Sequence, residues 1–193
     1  MSRTNLNVLK SYVGFTDRDA ENLRTLGPKA TSLIPHVVER FYAVLLGDEG
    51  AARVLDGDDV LLARLRESLN RWCHDLFSGT YDEKYYKSRH RIGRIHVEVK
   101  LPQHYMPLAM ELVRVEFRNR LTGAWGESIR PQIESLEKLL TIDLTIMLDS
   151  YKESYSELIR DLERRALEGK LARAQHLAEI GQLAASLAHE ITR

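Results

Sequence analysis

Apolar residues recur along most of this chain at intervals of three and four, the spacing of one face of an α-helix. Thr16 followed by Asp19 resembles a capping box, and the helix it opens is expected to run from about residue 17 to Leu26-Gly27. Pro28 then suits the first turn of a next segment, in which Ile34, Val38, Phe41 and Leu45 form the apolar stripe up to a break at "LGDEG". Leu62, Leu65, Leu69, Trp72 and Leu76 make a second stripe, closed by "SGTYDE", where Thr80 and Glu83 look like a further helix start. The following helix should stop at Leu101-Pro102, because proline lacks an N–H and disfavours a helical residue before it. Another runs from about 103 to 121, "TGAWGES" reads as a turn, and from Ile129 onward only Pro131 and Gly169 interrupt helical character. No stretch alternates convincingly enough for a strand, and there is no solenoid-type repeat. The expected fold class is all-α.

The last 65 or so residues change character. Leu144, Leu148, Tyr151, Tyr155, Leu158 and Leu162 follow heptad steps, as do Leu177, Ile180, Ala184, Leu187 and Ile191. Residues 162 and 177 are fifteen apart, one more than two heptads, so a helix pair crossing "ERRALEGKLARAQ" must locally rewind or rotate. A seam this long with charged flanks predicts a homodimer through the terminal helices.

Composition removes several classes. Lysine plus arginine equals aspartate plus glutamate, 28 of each, which gives no basic surface for nucleic acid or anionic membrane. No apolar run reaches the roughly 18 residues of a membrane span, and the N-terminus lacks the apolar core of a signal peptide. A single cysteine, Cys73, fits a reducing compartment. The expected location is the cytoplasm.

The candidate chemistry lies in "RIGRIHVEVKLPQHY", residues 91 to 105. Of seven histidines, His36 and His74 fall off the apolar stripes of their helices, and His90, His104 and His176 have polar neighbours. His96 instead shares a face with Tyr85, Arg89 and Ile92. Gly93 leaves room beside its ring for a large flat group to approach. Neither zinc spacing nor a carboxylate cluster accompanies it. A single inward histidine matches the proximal ligand of a haem, although spacing alone leaves a hydrogen-bonded core histidine open. Tyr42, beside Phe41 on the edge of its helix's apolar face, is either a rim aromatic or a phenol able to donate to a bound diatomic ligand. Leu65 and Leu69, one turn apart, would form an apolar distal wall, with Phe41, Ile92 and Gly93 also against the cofactor.

"RFYAVLL", "LFSGTYD", "RIGRIHV" and "LPQHY", in this order and spacing, resemble the sensor domain of the globin-coupled sensors over about residues 8 to 155. That resemblance implies a globin fold followed by a coiled-coil linker, with haem b (iron protoporphyrin IX) as cofactor. It makes His96 the proximal iron ligand and Tyr42 the distal donor. Leu65 becomes the distal apolar residue, with Ser68 as a possible second donor. Some relatives of this fold have lost haem, so a haem-free interaction module is the alternative.

"GQLAASLAHEI", residues 181 to 191, resembles the H-box of sensor histidine kinases. By that resemblance His189 is the phosphoacceptor and Glu190 its acid/base partner. The usual following proline, the second dimerisation helix and the ATP-binding domain do not occur before Arg193, so the chain is expected to be a fragment, inactive as a kinase alone. The expected organisation is a sensor globin domain at 1–158, a linker at 159–176 and the start of the dimerisation/phosphoacceptor helix at 177–193. The expected function is a haem-based sensor of O2, another diatomic gas or redox state. It would regulate autophosphorylation in a two-component system and act on a response regulator. A cyclase or chemotaxis output is the alternative.

Overall fold

The computed structural model describes residues 5–50, 52 and 59–191, with side chains to residue 181. Among them there are helices and no strand: α1 (Leu6–Val13), α2 (Asp17–Thr31), α3 (Ile34–Gly47), α4 (Asp59–Asp75), α5 (Glu83–Glu98), α6 (Tyr105–Trp125), a 3-10 turn (Gly126–Ile129) and α7 (Arg130–Ile191). The chain divides into two compact units, Met1–Lys152 and Glu153–Arg193.

The first unit holds the core. The N-terminal third of α7 contributes Leu136, Leu139, Leu140, Ile142, Ile146 and Met147, all buried. Their spacing of three and four turns one continuous stripe of this helix inward. Around it lie Leu23 and Leu26 of α2, Ile34, Val37 and Val38 of α3, and Val113, Phe117 and Leu121 of α6. The capping box at Thr16 forms as expected, its backbone N–H donating to Asp19 Oδ2 at 2.8 Å. Asp19 also receives Lys138 at 2.9 Å and Ser135 at 2.8 Å, which ties the start of α2 to α7. Burial would raise the Asp19 pKa, but Lys138, Thr16 and Ser135 hold it below the usual carboxylate range.

Several boundaries differ from the expectation. α2 continues through Gly27 and Pro28 to Thr31. A Cβ on Gly27 would meet Phe77, in the turn after α4, at an ordinary contact distance of 3.4 Å, so the glycine is a packed position inside the helix and not its end. The start of α5 is capped by Asp82, which accepts from Tyr85 N at 3.0 Å, and not by Thr80. "TGAW" remains helical, and α6 ends only where Gly126 takes φ 62°.

α5 ends at Glu98, before Leu101-Pro102. Lys100 adopts φ 58°, its N–H donates to Val97 O at 3.0 Å, and Leu101 N donates to His96 O at 2.9 Å. That pair of bonds is a Schellman motif, which closes the helix before the proline can.

Gly93 has a different role from the one expected. A Cβ built there would lie 2.1 Å from Met147 O and 2.9 Å from Ser150 Cβ, so the glycine lets α5 press against the backbone of α7. Next to it the Ser150 hydroxyl donates to His90 O. Gly93→Ala forces the helices apart and should cost about 2–3 kcal/mol. Thermal unfolding should then drop by about 4–12 °C.

In the second unit Tyr155, Leu158, Leu162, Leu167, Leu171, Leu177 and Ile180 are exposed in the single chain. No helix among the described residues is long and apolar enough to cross a membrane.

Candidate functional site

Helices α3, α4, α5 and α6, with Leu101 and with Met147 of α7, line a cavity of about 270 Å³ in the first unit. Six of the seven residues expected around a cofactor line it: Phe41, Tyr42, Leu65, Leu69, Ile92 and His96. The seventh, Gly93, does not, for the packing reason above. Ser68 also lines it. The remaining wall is largely apolar and includes Met106, Met110 and Val113 of α6, whose spacing of four and three puts them on one face.

His96 lies in the last turn of α5, its backbone held by the Schellman motif. Its Nδ1 is 2.7 Å from Ile92 O. A carbonyl can only accept, so Nδ1 carries the proton and Nε2 keeps its lone pair. Burial lowers the His96 pKa, with the bond to Ile92 pulling the other way, so the neutral imidazole is favoured. A neutral ring with one nitrogen donated to the backbone and the other open is the form that ligates a metal.

Tyr42 is 4 % exposed, and it sits more centrally on its helix than Phe41, which is half-buried. The apolar face of α3 is therefore rotated from the Phe41-centred stripe toward Val38 and Tyr42. Four other tyrosine hydroxyls bond to protein: Tyr81 to Leu76 O, Tyr85 to Asp143, Tyr105 to Asp48 and Tyr151 to Leu101 O. No such bond is made by Tyr42 among the described residues. Burial pushes its phenol up to about 12, with Arg66 acting in the opposite direction, so it is a neutral donor at physiological pH.

Tyr85 and Arg89, expected to share the His96 face, turn away from the cavity into a buried network. Asp143 of α7 accepts from Tyr85 OH at 2.7 Å, Arg89 Nε at 2.9 Å and Trp72 Nε1 at 3.1 Å. Arg89 also reaches Asp75 at 3.0 Å, and its guanidinium stacks 3.9 Å from the centre of the Tyr85 ring. Burial raises the Asp143 pKa, while Arg89 and the donors from Tyr85 and Trp72 oppose that shift. Trp72 belongs to both systems, since it lines the cavity as well. Cys73 beside it is buried, which pushes its thiol up to about 12 and keeps it protonated.

Among the described residues no group of histidine, cysteine and carboxylate side chains could hold a free metal ion. His189 and Glu190 fall within α7, but their side chains lie outside the described set.

A globin-type arrangement is what this cavity and helix order most resemble, and comparison with known proteins decides the family. The protoglobin family model matches residues 2–157. The chain belongs to the protoglobin family. Among solved structures this protoglobin is similar to the globin domain of the Geobacter sulfurreducens globin-coupled sensor. The two are 36% identical with a TM-score of 0.69, over 75% of this chain and 96% of that one. It is also similar to the haem-based aerotactic transducer HemAT of Halobacterium salinarum, at 25% identity over 162 residues. That match takes in 78% of this protoglobin and 33% of the transducer, so the chain spans about a third of its relative's length.

Proposed function

We propose that this protoglobin is a cytoplasmic haem-based gas sensor, with a b-type haem in the α3–α6 cavity and His96 Nε2 as its iron ligand. The observation that carries this is the state of His96: its Nδ1 proton is committed to Ile92 O, which leaves Nε2 open beside an apolar cavity. The residues fit such a group. The walls suit a flat apolar macrocycle, and the hydroxyl of Tyr42 has no other described partner. When bound, the haem iron supplies the site for a diatomic ligand such as O2. Tyr42 donates a hydrogen bond to the polar end of that ligand, while Leu65, Leu69 and Phe41 exclude water. The similarity to a relative named a haem-based transducer supports the same reading.

Absorption spectra of the purified chain with haem added test this directly, and an absent Soret band would remove it. Tyr42→Phe tests the distal role, because it removes one hydroxyl and leaves the ring. Oxygen dissociation should speed up by about 10-fold or more, the effect of losing one hydrogen bond to a charged or strongly polar group in an apolar site. An unchanged rate would leave Tyr42 as a wall residue.

For the output, we infer a histidine kinase acting on a response regulator, with His189 as phosphoacceptor and Glu190 as its partner. The support is the H-box resemblance of residues 181–191, which follow a heptad-patterned helix. Tyr155, Leu158 and Leu162 are 49 %, 42 % and 51 % exposed in the single chain, which favours their burial in a homodimer. Ligation can bias such a dimer only through contacts that differ between two of its states. In a chain carrying the ATP-binding domain, His189→Gln should abolish phosphate incorporation from labelled ATP. Full incorporation would transfer the output to the second reading, a chemotaxis-type signalling domain, which the aerotactic relative favours.

A further inference from the structure

Arg66 of α4 does not line the cavity, yet it engages Tyr42, a buried tyrosine whose hydroxyl has no described partner. Its guanidinium carbon lies 5.0 Å from the centre of the Tyr42 ring, within the range of a cation–π contact. The same guanidinium is ion-paired with Glu39. Glu39 and Tyr42 are three residues apart on α3, so they share a face, and Arg66 is held on that face by the carboxylate. Phe41 meets the Tyr42 ring edge-on at a centroid distance of 5.2 Å, which fixes it from a second side.

We propose that Arg66 is a positioning residue for Tyr42, anchored by Glu39, and that through the ring it strengthens the phenol as a donor and biases the cavity toward polar diatomic ligands. This rests on the reading of Tyr42 as the distal donor. A cation on the ring face draws electron density from the aromatic system and so favours release of the hydroxyl proton toward an acceptor. Burial acts the other way on this phenol, and Arg66 is the group that counters it. A polar ligand such as O2 gains from a stronger donor, whereas carbon monoxide, a weak acceptor, gains little. Arg66 side-chain exposure is 30%, so its replacement leaves no unpaired charge in the core.

The test uses the ferrous haem-loaded chain. Arg66→Gln should speed oxygen dissociation about two- to fivefold, the effect of one partly exposed cation–π contact. Carbon monoxide dissociation should change by less. Glu39→Gln, which frees Arg66 without removing it, should move the rate in the same direction by less, and Arg66→Lys should restore part of the effect. In a Tyr42→Phe background Arg66→Gln should add nothing. An equal effect of Arg66→Gln in that background, or no effect while Tyr42→Phe itself speeds dissociation, overturns the proposal and leaves the distal tyrosine standing. A Tyr42→Phe variant with unchanged kinetics overturns both. A second readout needs no haem. In protein labelled with carbon-13 at tyrosine Cζ, the resonance missing from Tyr42→Phe should move in Arg66→Gln while those of Tyr81 and Tyr85 stay. A stationary Tyr42 resonance also overturns the proposal.

Discussion

His96→Ala is expected to abolish the Soret band of the haem-loaded protein while leaving its helix content unchanged. The imidazole makes one described hydrogen bond, to a carbonyl in its own helix, so removing it breaks no described hydrogen bond between elements. The backbone at residue 96 is held independently by Leu101 N and by the Schellman turn at Lys100. The fold therefore has little reason to collapse, and the loss should fall on the cofactor. Removing a group that merely orients a metal ligand typically costs about 10–100-fold in affinity. Removing the ligand itself should cost more, because His96 is the one imidazole among the described residues lining the cavity. Added imidazole should enter the space left in His96→Gly and restore the Soret band. Circular dichroism on the same samples separates lost haem from lost fold. A normal Soret band in His96→Ala would show that the iron is held elsewhere or that the His96 ring only packs.

Much of this site was legible in the sequence because helical period alone assigns faces. Phe41, Tyr42, Leu65, Leu69, Ile92 and His96 come from three helices, yet each was placed by its spacing to neighbouring apolar residues, and all line one cavity. The faults arose where the pattern is silent about neighbours. Gly93 looked like room for a ligand, but whether a missing side chain faces a cavity or another backbone depends on what packs there, and here it is Met147 and Ser150 of α7. Tyr85 and Arg89 share the helical phase of His96 but sit two to three turns earlier, where α5 meets α7. The stop of α5 was assigned to Pro102 because proline is conspicuous. The left-handed Lys100 carries no comparable signal, since lysine rarely takes that conformation. Asp143 was missed outright. The available clue was a lone acid in "TIDLTIML", three or four residues from Leu139, Leu140, Ile146 and Met147, hence on the buried stripe. A carboxylate at such a position needs donors from elsewhere in the fold, and only the folded chain identifies them as Trp72, Tyr85 and Arg89.

That network carries the second large effect. Asp143→Ala should destabilise the protein by about 3–5 kcal/mol, read as a lower urea midpoint with an unchanged slope. The cost comes less from the lost bonds than from what they leave behind. Arg89 is 1 % exposed, and without Asp143 its guanidinium keeps only the partly exposed Asp75 as an ionic partner. The Tyr85 hydroxyl and the Trp72 indole N–H lose their acceptor at the same time. Asp143→Asn should fall between, since its carbonyl can still accept from one or two of the three donors but no longer offsets the charge. Removing both charges in Asp143→Leu with Arg89→Met should recover much of the loss, because apolar replacements of buried ion pairs are often neutral or better. The double variant must then be more stable than Asp143→Ala alone, a coupling that independent sites would not give. Trp72 links this result to function, as it spans from Asp143 to the cavity wall. Asp143→Ala should accordingly loosen haem retention as well as lower the midpoint, whereas Gly93→Ala, acting on helix spacing near His96, should disturb the spectrum for a smaller loss of stability. If Asp143→Ala costs under about 1 kcal/mol, Arg89 is reaching water and the network is not what fastens α5 to α7.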